Sequence, residues 1–333
     1  MVKISAGTAA RLGLQQIKVD ALPTTAYLME GENCLYNCSF CPQARGSSAR
    51  KDLLSRVIWP EYNWQDLARG LAKYEGELKR ICVQVVCQEK DLSEILTVCR
   101  RIKVMTDLPL SVSARLENTQ QVDQLLQAGA NKVGIAVDAA DPQAYQQIKG
   151  GSFAHKLALL EESARRFPGR ISTHLIIGLG ETEAQAIKLI GRLVKQGISV
   201  GLFAFTPVKG TALAHLKQPP LAGYRRIQAA HYLLQQGLVD LADLSFTGGK
   251  LIDYGLPQPE LRQALTGGEA FLTSGCPGCN RPYYNEKPGG IIYNYPRPLT
   301  EAETSAAIQL VLAGDATTAD QEGEGYGKMA FNC

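Results

Sequence analysis

Cys34, Cys38 and Cys41 share one short stretch, Cys34-Leu-Tyr-Asn-Cys38-Ser-Phe-Cys41, directly after the apolar run Thr25-Ala-Tyr-Leu-Met29. That order reads as the end of a first strand running into a loop. Thiolates are soft ligands, and three of them on one loop can hold three irons of a 4Fe-4S cluster while the fourth iron stays open for chemistry. A simple electron carrier closes its cluster with a fourth cysteine, and none stands beside these three. Zinc is the rival metal, but it takes four ligands from paired Cys-x-x-Cys or Cys-x-x-His units, and the first histidine of the chain is His155. Three unrelated core cysteines are the remaining alternative, since free cysteine is often buried.

A second set of thiols lies in Thr273-Ser-Gly-Cys276-Pro-Gly-Cys279-Asn-Arg-Pro-Tyr-Tyr-Asn-Glu-Lys-Pro-Gly-Gly290. A Cys-x-x-Cys pair serves as half a zinc knuckle, a redox couple or two ligands of an iron-sulfur cluster. A redox couple needs a thioredoxin-like domain around it, and this part of the chain has no room for one. Zinc needs two further ligands. In a chain already committed to iron-sulfur chemistry, an auxiliary 4Fe-4S cluster is the favoured reading for Cys276 and Cys279. Its third ligand comes from elsewhere, and Cys82, Cys87 and Cys333 are the candidates. Cys82 and Cys87 are five residues apart, so on one extended strand they face opposite sides. Cys99 falls in a helical pattern and reads as core.

The elements that must position these groups alternate between short β-rich runs and amphipathic stretches. Strands are expected at 80–86, 108–113, 132–137, 171–177, 198–205 and 241–246, with helical patterns at 64–74, 91–105, 118–128, 182–196 and 302–312. Regular alternation implies crossovers and a parallel sheet, hence an α/β fold: a TIM-like (βα) barrel, complete or partial. The barrel is expected to occupy residues 1–266. Residues 267–333, rich in Gly, Pro and Tyr, form a C-terminal extension carrying the Cys-x-x-Cys pair.

In a parallel barrel, ligands gather at the carboxyl ends of the strands. Gly178-Leu-Gly180-Glu181-Thr182 is a strand end, a glycine turn and a helix start, with Thr182 and Gln185 placed for a capping box. Helix amides beside Gly178 and Gly180 can receive a carboxylate or a ligand polar group; a tight turn and nothing more is the alternative. Asp138 closes the run Lys132-Val-Gly-Ile-Ala-Val137, where a carboxylate can accept from ribose hydroxyls, or simply serve a turn. Asp141-Pro142 reads as a helix N-cap followed by proline. Arg115, after the strand expected at 108–113, is placed to meet an anionic group or to form a surface ion pair.

Composition narrows the partners. The 333 residues are 45% hydrophobic and 20% charged, with 35 basic against 32 acidic residues, a balance that makes no electrostatic case for nucleic acid or a membrane surface. Met1 to Asp20 holds no signal-peptide core, and no segment approaches the apolar length of a membrane span. A cytoplasmic protein is expected, and nine cysteines in a reducing compartment point to metal ligation more than to disulfides.

The Cys-x-x-x-Cys-x-Phe-Cys pattern resembles the radical S-adenosylmethionine (SAM) superfamily. By that resemblance Cys34, Cys38 and Cys41 are the cluster ligands, Phe40 lies next to the adenine, and the open iron is chelated by SAM. The reduced cluster then cleaves the sulfonium to a 5'-deoxyadenosyl radical that takes hydrogen from an unactivated carbon. The Gly178-Leu-Gly-Glu-Thr182 wording matches biotin synthases, among others, where the turn borders the SAM site, and the same likeness supports a ribose contact for Asp138 and an auxiliary ligand at Cys82. Biotin synthases also carry cysteines on middle strands, whereas this chain has none between Cys99 and Cys276, and Ser172 stands where one belongs. Single-chain lipoyl synthases place cysteines ahead of the radical SAM motif and an Arg-Ser-Ser-Tyr motif near the end, both absent here. The combination of Cys38-Ser-Phe-Cys-Pro-Gln-Ala-Arg45, Leu54-Ser-Arg-Val-Ile-Trp-Pro60, the segment around Cys276 and Cys279, and Gly289-Gly-Ile-Ile-Tyr-Asn-Tyr-Pro-Arg-Pro-Leu-Thr300 is similar to the two-component lipoyl synthases of archaea and some bacteria. The resemblance implies sulfur insertion into a C–H bond of an octanoyl chain held on a lipoyl-carrier protein, the sulfur coming from the auxiliary cluster. It also implies a second synthase component and a ferredoxin- or flavodoxin-type electron donor. A biotin-type reaction on a free small molecule and an iron-sulfur electron carrier or scaffold are the other functions this sequence admits.

Overall fold

The computed structural model describes residues 1–32, 34–86, 92–286 and 289–313. Twelve strands are described, in chain order β1 (Val2–Ile4), β2 (Thr25–Glu30), β3 (Leu53–Leu54), β4 (Val57–Ile58), β5 (Glu61–Tyr62), β6 (Arg80–Val85), β7 (Leu110–Ser113), β8 (Lys132–Gly134), β9 (Ile171–Ile177), β10 (Ser199–Ala204), β11 (Ser245–Thr247) and β12 (Lys250–Asp253). The main sheet runs β10-β9-β8-β7-β6-β2-β1-β5. β2 and β6 to β10 pair in parallel, while β1 and β5 join antiparallel beyond β2. The barrel is therefore partial, with six parallel strands and an edge at β10.

Side-chain alternation along the strands divides the interior into two layers. Ala26 and Leu28 of β2, with Ile81 and Val83 of β6, join the large core beneath the crossover helices. Tyr27 and Met29 point the other way, into a smaller cluster with Trp59, Val86 and Tyr284, against which Cys34, Cys82 and Cys279 pack. The period of two thus assigns one face to stability and the other to the site.

The helices follow their local signals. Asn118 caps Thr119–Gln127, Asp141 caps Pro142–Ile148 with proline in its first turn, and Thr182 with Gln185 forms the capping box of Glu183–Val194. Cys99 is fully buried on the helix Ser93–Met105. Among the described residues no helix is long and apolar enough to cross a membrane.

Two expected strands differ. The run at 241–246 does not extend the barrel: only Ser245–Thr247 is strand, paired antiparallel with Lys250–Asp253. Gly248 and Gly249 both take positive φ, 58° and 85°, and their two-residue turn folds the chain into a local hairpin. The strand at 132–137 ends early at Gly134. Beyond it Val137 N donates to the Thr173 hydroxyl instead of a ladder carbonyl, and Asp138 turns into the left-handed region at φ 66°.

The extension lies along the exposed edge of the barrel. Ser274 Oγ accepts Leu202 N at 2.9 Å, and the Asn285 side chain takes both Ala204 N (3.3 Å) and Ala204 O (2.8 Å). Side-chain amides and hydroxyls thereby satisfy the outer backbone groups of β10 that an edge strand otherwise leaves open. Asn280 ties the same segment to the approach of β2, accepting Thr24 N at 2.9 Å and donating to Leu22 O at 3.1 Å. The helix Glu301–Leu312 buries Thr304, Ala307, Ile308 and Val311.

Candidate active site

The cysteine loop leaves the carboxyl end of β2 and is held by its neighbours' backbones. Ser39, between Cys38 and Cys41, donates its N–H to Ile148 O (2.8 Å) and accepts Leu213 N on its carbonyl (3.1 Å). Cys41 N closes a turn on Cys38 O at 3.0 Å. A few residues past the loop, Gly210 takes φ 92° and approaches so closely that an added Cβ would lie 2.5 Å from Ala49 N. Burial pushes the Cys38 thiol up to about 11 and the Cys41 thiol up to about 12, and neighbouring sulfurs add to the rise in both. Burial thus favours the protonated thiols at Cys38 and Cys41, and a metal cation held there would have to ionise them. Among the described residues, no three His, Cys, Asp or Glu side chains converge to chelate one ion.

The second cysteine set is assembled from opposite ends of the sequence. In the sheet register Tyr27 of β2 stands beside Cys82 of β6, and Cys82 beside Ser111 of β7. The Cys-x-x-Cys turn lies over this row, with Cys279 Sγ 3.1 Å from Tyr27 Oη and Cys276 Sγ 3.8 Å from Ser111 Oγ. Arg80, buried at 4% exposure, donates to Pro277 O at 2.7 Å and so fixes the turn to β6. Burial pushes the Cys82 thiol up to about 12, helped by the nearby Cys276 and Cys279 sulfurs. Cys82, Cys276 and Cys279 thus share one place, whereas Cys87 and Cys333 lie outside the described residues.

Both ends of this arrangement open on one cavity of about 200 Å³, lined by Phe40 and Cys41 at one side and by Cys82, Cys276 and Cys279 at the other. Leu54, Ile176, Phe203, Phe205 and Tyr284 supply apolar wall between them. Leu54 belongs to the hairpin β3–β4, whose turn residue Ser55 (φ 52°) donates to Tyr284 O at 2.9 Å.

Asp138 lines the cavity too, at 5% exposure. Its carboxylate is held by Lys149 Nζ at 2.5 Å and His174 Nε2 at 2.7 Å. Burial alone would raise this carboxyl, but Lys149 and His174 outweigh it and keep it well below the usual carboxylate range. Arg115, Gly178, Gly180 and Glu181 do not reach the cavity wall. Arg115 stacks on Tyr36 of the cysteine loop, 3.5 Å from the ring centre, and stands 3.7 Å from Glu117. Glu181 turns back on its own loop, accepting Gly178 N and Leu179 N, so the exposed amides that could have received a ligand carboxylate already hold one from the chain. Gly178 and Gly180 both adopt φ 106°, which that turn demands. Sequence reading missed His174, Lys149, Arg80, Ser111 and Tyr27, which carry no motif; only the inward alternation of β2, β6, β7 and β9 marks most of them.

A partial barrel of parallel strands, with a three-cysteine loop after the first of them, defines an α/β protein that presents that loop at the carboxyl ends of its strands, where ligands gather in such barrels. Residues 31–193 match the radical SAM superfamily model. A match to that superfamily implies a 4Fe-4S cluster and SAM, and the loop carrying Cys34, Cys38 and Cys41 lies within the matched residues. Biotin synthase of Parabacteroides distasonis is 26% identical over 229 residues, 66% of this chain and 65% of that protein. Lipoyl synthase of Coxiella burnetii is 26% identical over 189 residues, 52% of this chain and 54% of that protein. The chain therefore spans between about half and just under two thirds of these relatives. Among solved structures, the FeFe-hydrogenase maturase HydG superposes with a TM-score of 0.51 at 12% identity, covering 63% of this chain and 50% of that one, which speaks to the fold.

Proposed function

We propose that this chain is a lipoyl synthase component that inserts sulfur into an unactivated C–H bond of an octanoyl chain carried on a lipoyl-carrier protein. The observation that carries the reading is the meeting of Cys82, Cys276 and Cys279 at the far side of the cavity lined by Phe40 and Cys41. When bound, the two clusters and SAM supply a hydrogen-abstracting 5'-deoxyadenosyl radical at one end and sulfide at the other. The chain's own residues supply distance, orientation and exclusion of water. Leu54, Ile176, Phe203 and Tyr284 form an apolar wall suited to an aliphatic chain, and the segment around Tyr284 closes one side of it. A second synthase component, a carrier protein and a small electron-transfer protein complete the system.

Iron and sulfide content after anaerobic reconstitution, with Mössbauer spectra, tests this reading on the native chain and on Cys276→Ala with Cys279→Ala. Two clusters falling to one is the expected result. One cluster in both proteins would remove the sulfur donor and overturn the proposal, leaving the match to the radical SAM superfamily in place. The alignment to biotin synthase favours a second reading, sulfur insertion into a free small molecule. Parallel assays with free and protein-bound acyl substrates separate the two.

A further inference from the structure

Each sulfur of the second cysteine set meets one hydrogen-bonding side chain, and the three side chains come from three adjacent strands. Gln84 Nε2 of β6 donates to Cys82 Sγ at 3.0 Å. Tyr27 Oη of β2 stands 3.1 Å from Cys279 Sγ, and Ser111 Oγ of β7 donates to Cys276 Sγ at 3.8 Å.

The remaining partners set the direction of the two hydroxyl protons. Ser111 Oγ accepts from Arg80 Nε at 3.2 Å and from Arg80 Nη2 at 2.9 Å, which occupies both of its lone pairs and leaves the proton for sulfur. Tyr27 Oη accepts the backbone N–H of Arg281 at 3.1 Å. A metal-bound thiolate carries no proton, so between Tyr27 and a ligating Cys279 the phenol is the donor. Three donors therefore converge on three acceptors, and each acceptor is strengthened when its sulfur is ionised.

We propose that Tyr27, Gln84 and Ser111 are positioning residues that form a donor shell around an iron-sulfur cluster on Cys82, Cys276 and Cys279, drawing charge from its sulfurs and raising its reduction potential. This rests on the auxiliary-cluster reading above. Hydrogen bonds to ligating sulfur stabilise the reduced, more negative state over the oxidised one, which is the physical basis of the shift. Arg80 links the shell to the turn, since its guanidinium holds Ser111 by one edge and Pro277 O by the other. Tyr27 and Gln84 carry the test because both can lose the donor with little change of shape.

The experiment uses the full chain with Cys34→Ala, Cys38→Ala and Cys41→Ala, so that only the second set can hold iron. After anaerobic reconstitution, iron and sulfide are counted and the midpoint potential is read by EPR-monitored titration, with and without Tyr27→Phe or Gln84→Met. The expected result is an unchanged iron count with a midpoint moved to more negative potential in each variant, and further in the pair. Iron retained with an unmoved midpoint in both would overturn the donor shell and leave the auxiliary cluster standing. No iron in the parent would overturn the cluster reading and the shell together. Should Tyr27→Phe fail to fold, Gln84→Met decides alone, because its side chain touches sulfur only through the amide.

Discussion

The Glu181 carboxylate closes the turn that precedes it, accepting Gly178 N at 2.7 Å on one oxygen and Leu179 N at 3.0 Å on the other. The acid of the Gly-Leu-Gly-Glu-Thr turn thus caps its own loop. Its burial there pushes the carboxyl from its ordinary 4.5 up to about 7 against the pull of those amides.

A pH dependence follows from that shift. Between 4.5 and about 7 the folded state holds a proton that the unfolded chain has released, so this group's contribution to stability falls as pH rises through the window and levels off above it. Glu181→Gln should flatten that segment of the profile. Urea midpoints at pH 5 and pH 8, compared between the two proteins, check it.

Asp138 presents the opposite case. With Lys149 and His174 on its two oxygens, its stabilisation is fully present above the ordinary carboxylate pKa and is lost only in strong acid, as pH falls through the depressed value. Asp138→Asn keeps a residue that tolerates φ 66° but leaves Lys149 without its buried counter-charge. The expected cost is about 3 kcal/mol, read from chemical unfolding at neutral pH.

Gly210 packs against Ser48 and Ala49, a few residues past the cysteine loop. Its carbonyl accepts Ser48 N at 2.9 Å and its Cα faces Ala49 with no space for a side chain. Gly210→Ala should cost about 1–3 kcal/mol through a strained φ and a backbone clash. It should also lower iron loading on Cys34, Cys38 and Cys41 while sparing the second set, a contrast that Mössbauer counting resolves.

Arg225 fastens the extension to the barrel. Buried at 2% exposure on the helix Leu221–Gln236, it donates to Tyr293 O and Ile292 O at 2.6 Å each, as well as to Gln228. Arg225→Met strips two carbonyls of their partner and should destabilise the fold by about 2–4 kcal/mol. Faster proteolytic cleavage near residues 289–300 is the companion readout.

Much of this arrangement was legible in the sequence, for reasons particular residues make plain. The apolar run that forms β2 and the capping signals at Asp141 and Thr182 are local, and the elements formed where those signals stood. The run at 241–246 misled because its apolar content hid the Gly248-Gly249 turn that makes it half of a hairpin. Asp138 lies four residues past the end of the strand it was expected to close, and its partners Lys149 and His174 come from a helix end and another strand. No spacing rule connects them. The same holds for the second cysteine set: Cys276 and Cys279 announce themselves by spacing, while Tyr27, 252 residues away from Cys279, is placed only by folding.

That separation has a temporal side. As the chain emerges from the ribosome amino terminus first, Cys34, Cys38 and Cys41 are complete as a set before β10 exists. Cys82 must wait for Cys276 and Cys279, whose turn can dock only once Leu202 and Ala204 offer the backbone groups that Ser274 and Asn285 require. On the proposed reading, iron delivered to a growing or truncated chain would find its first set of ligands, whereas the second set would be a late product of assembly, formed when the ends of a long loop in sequence finally close.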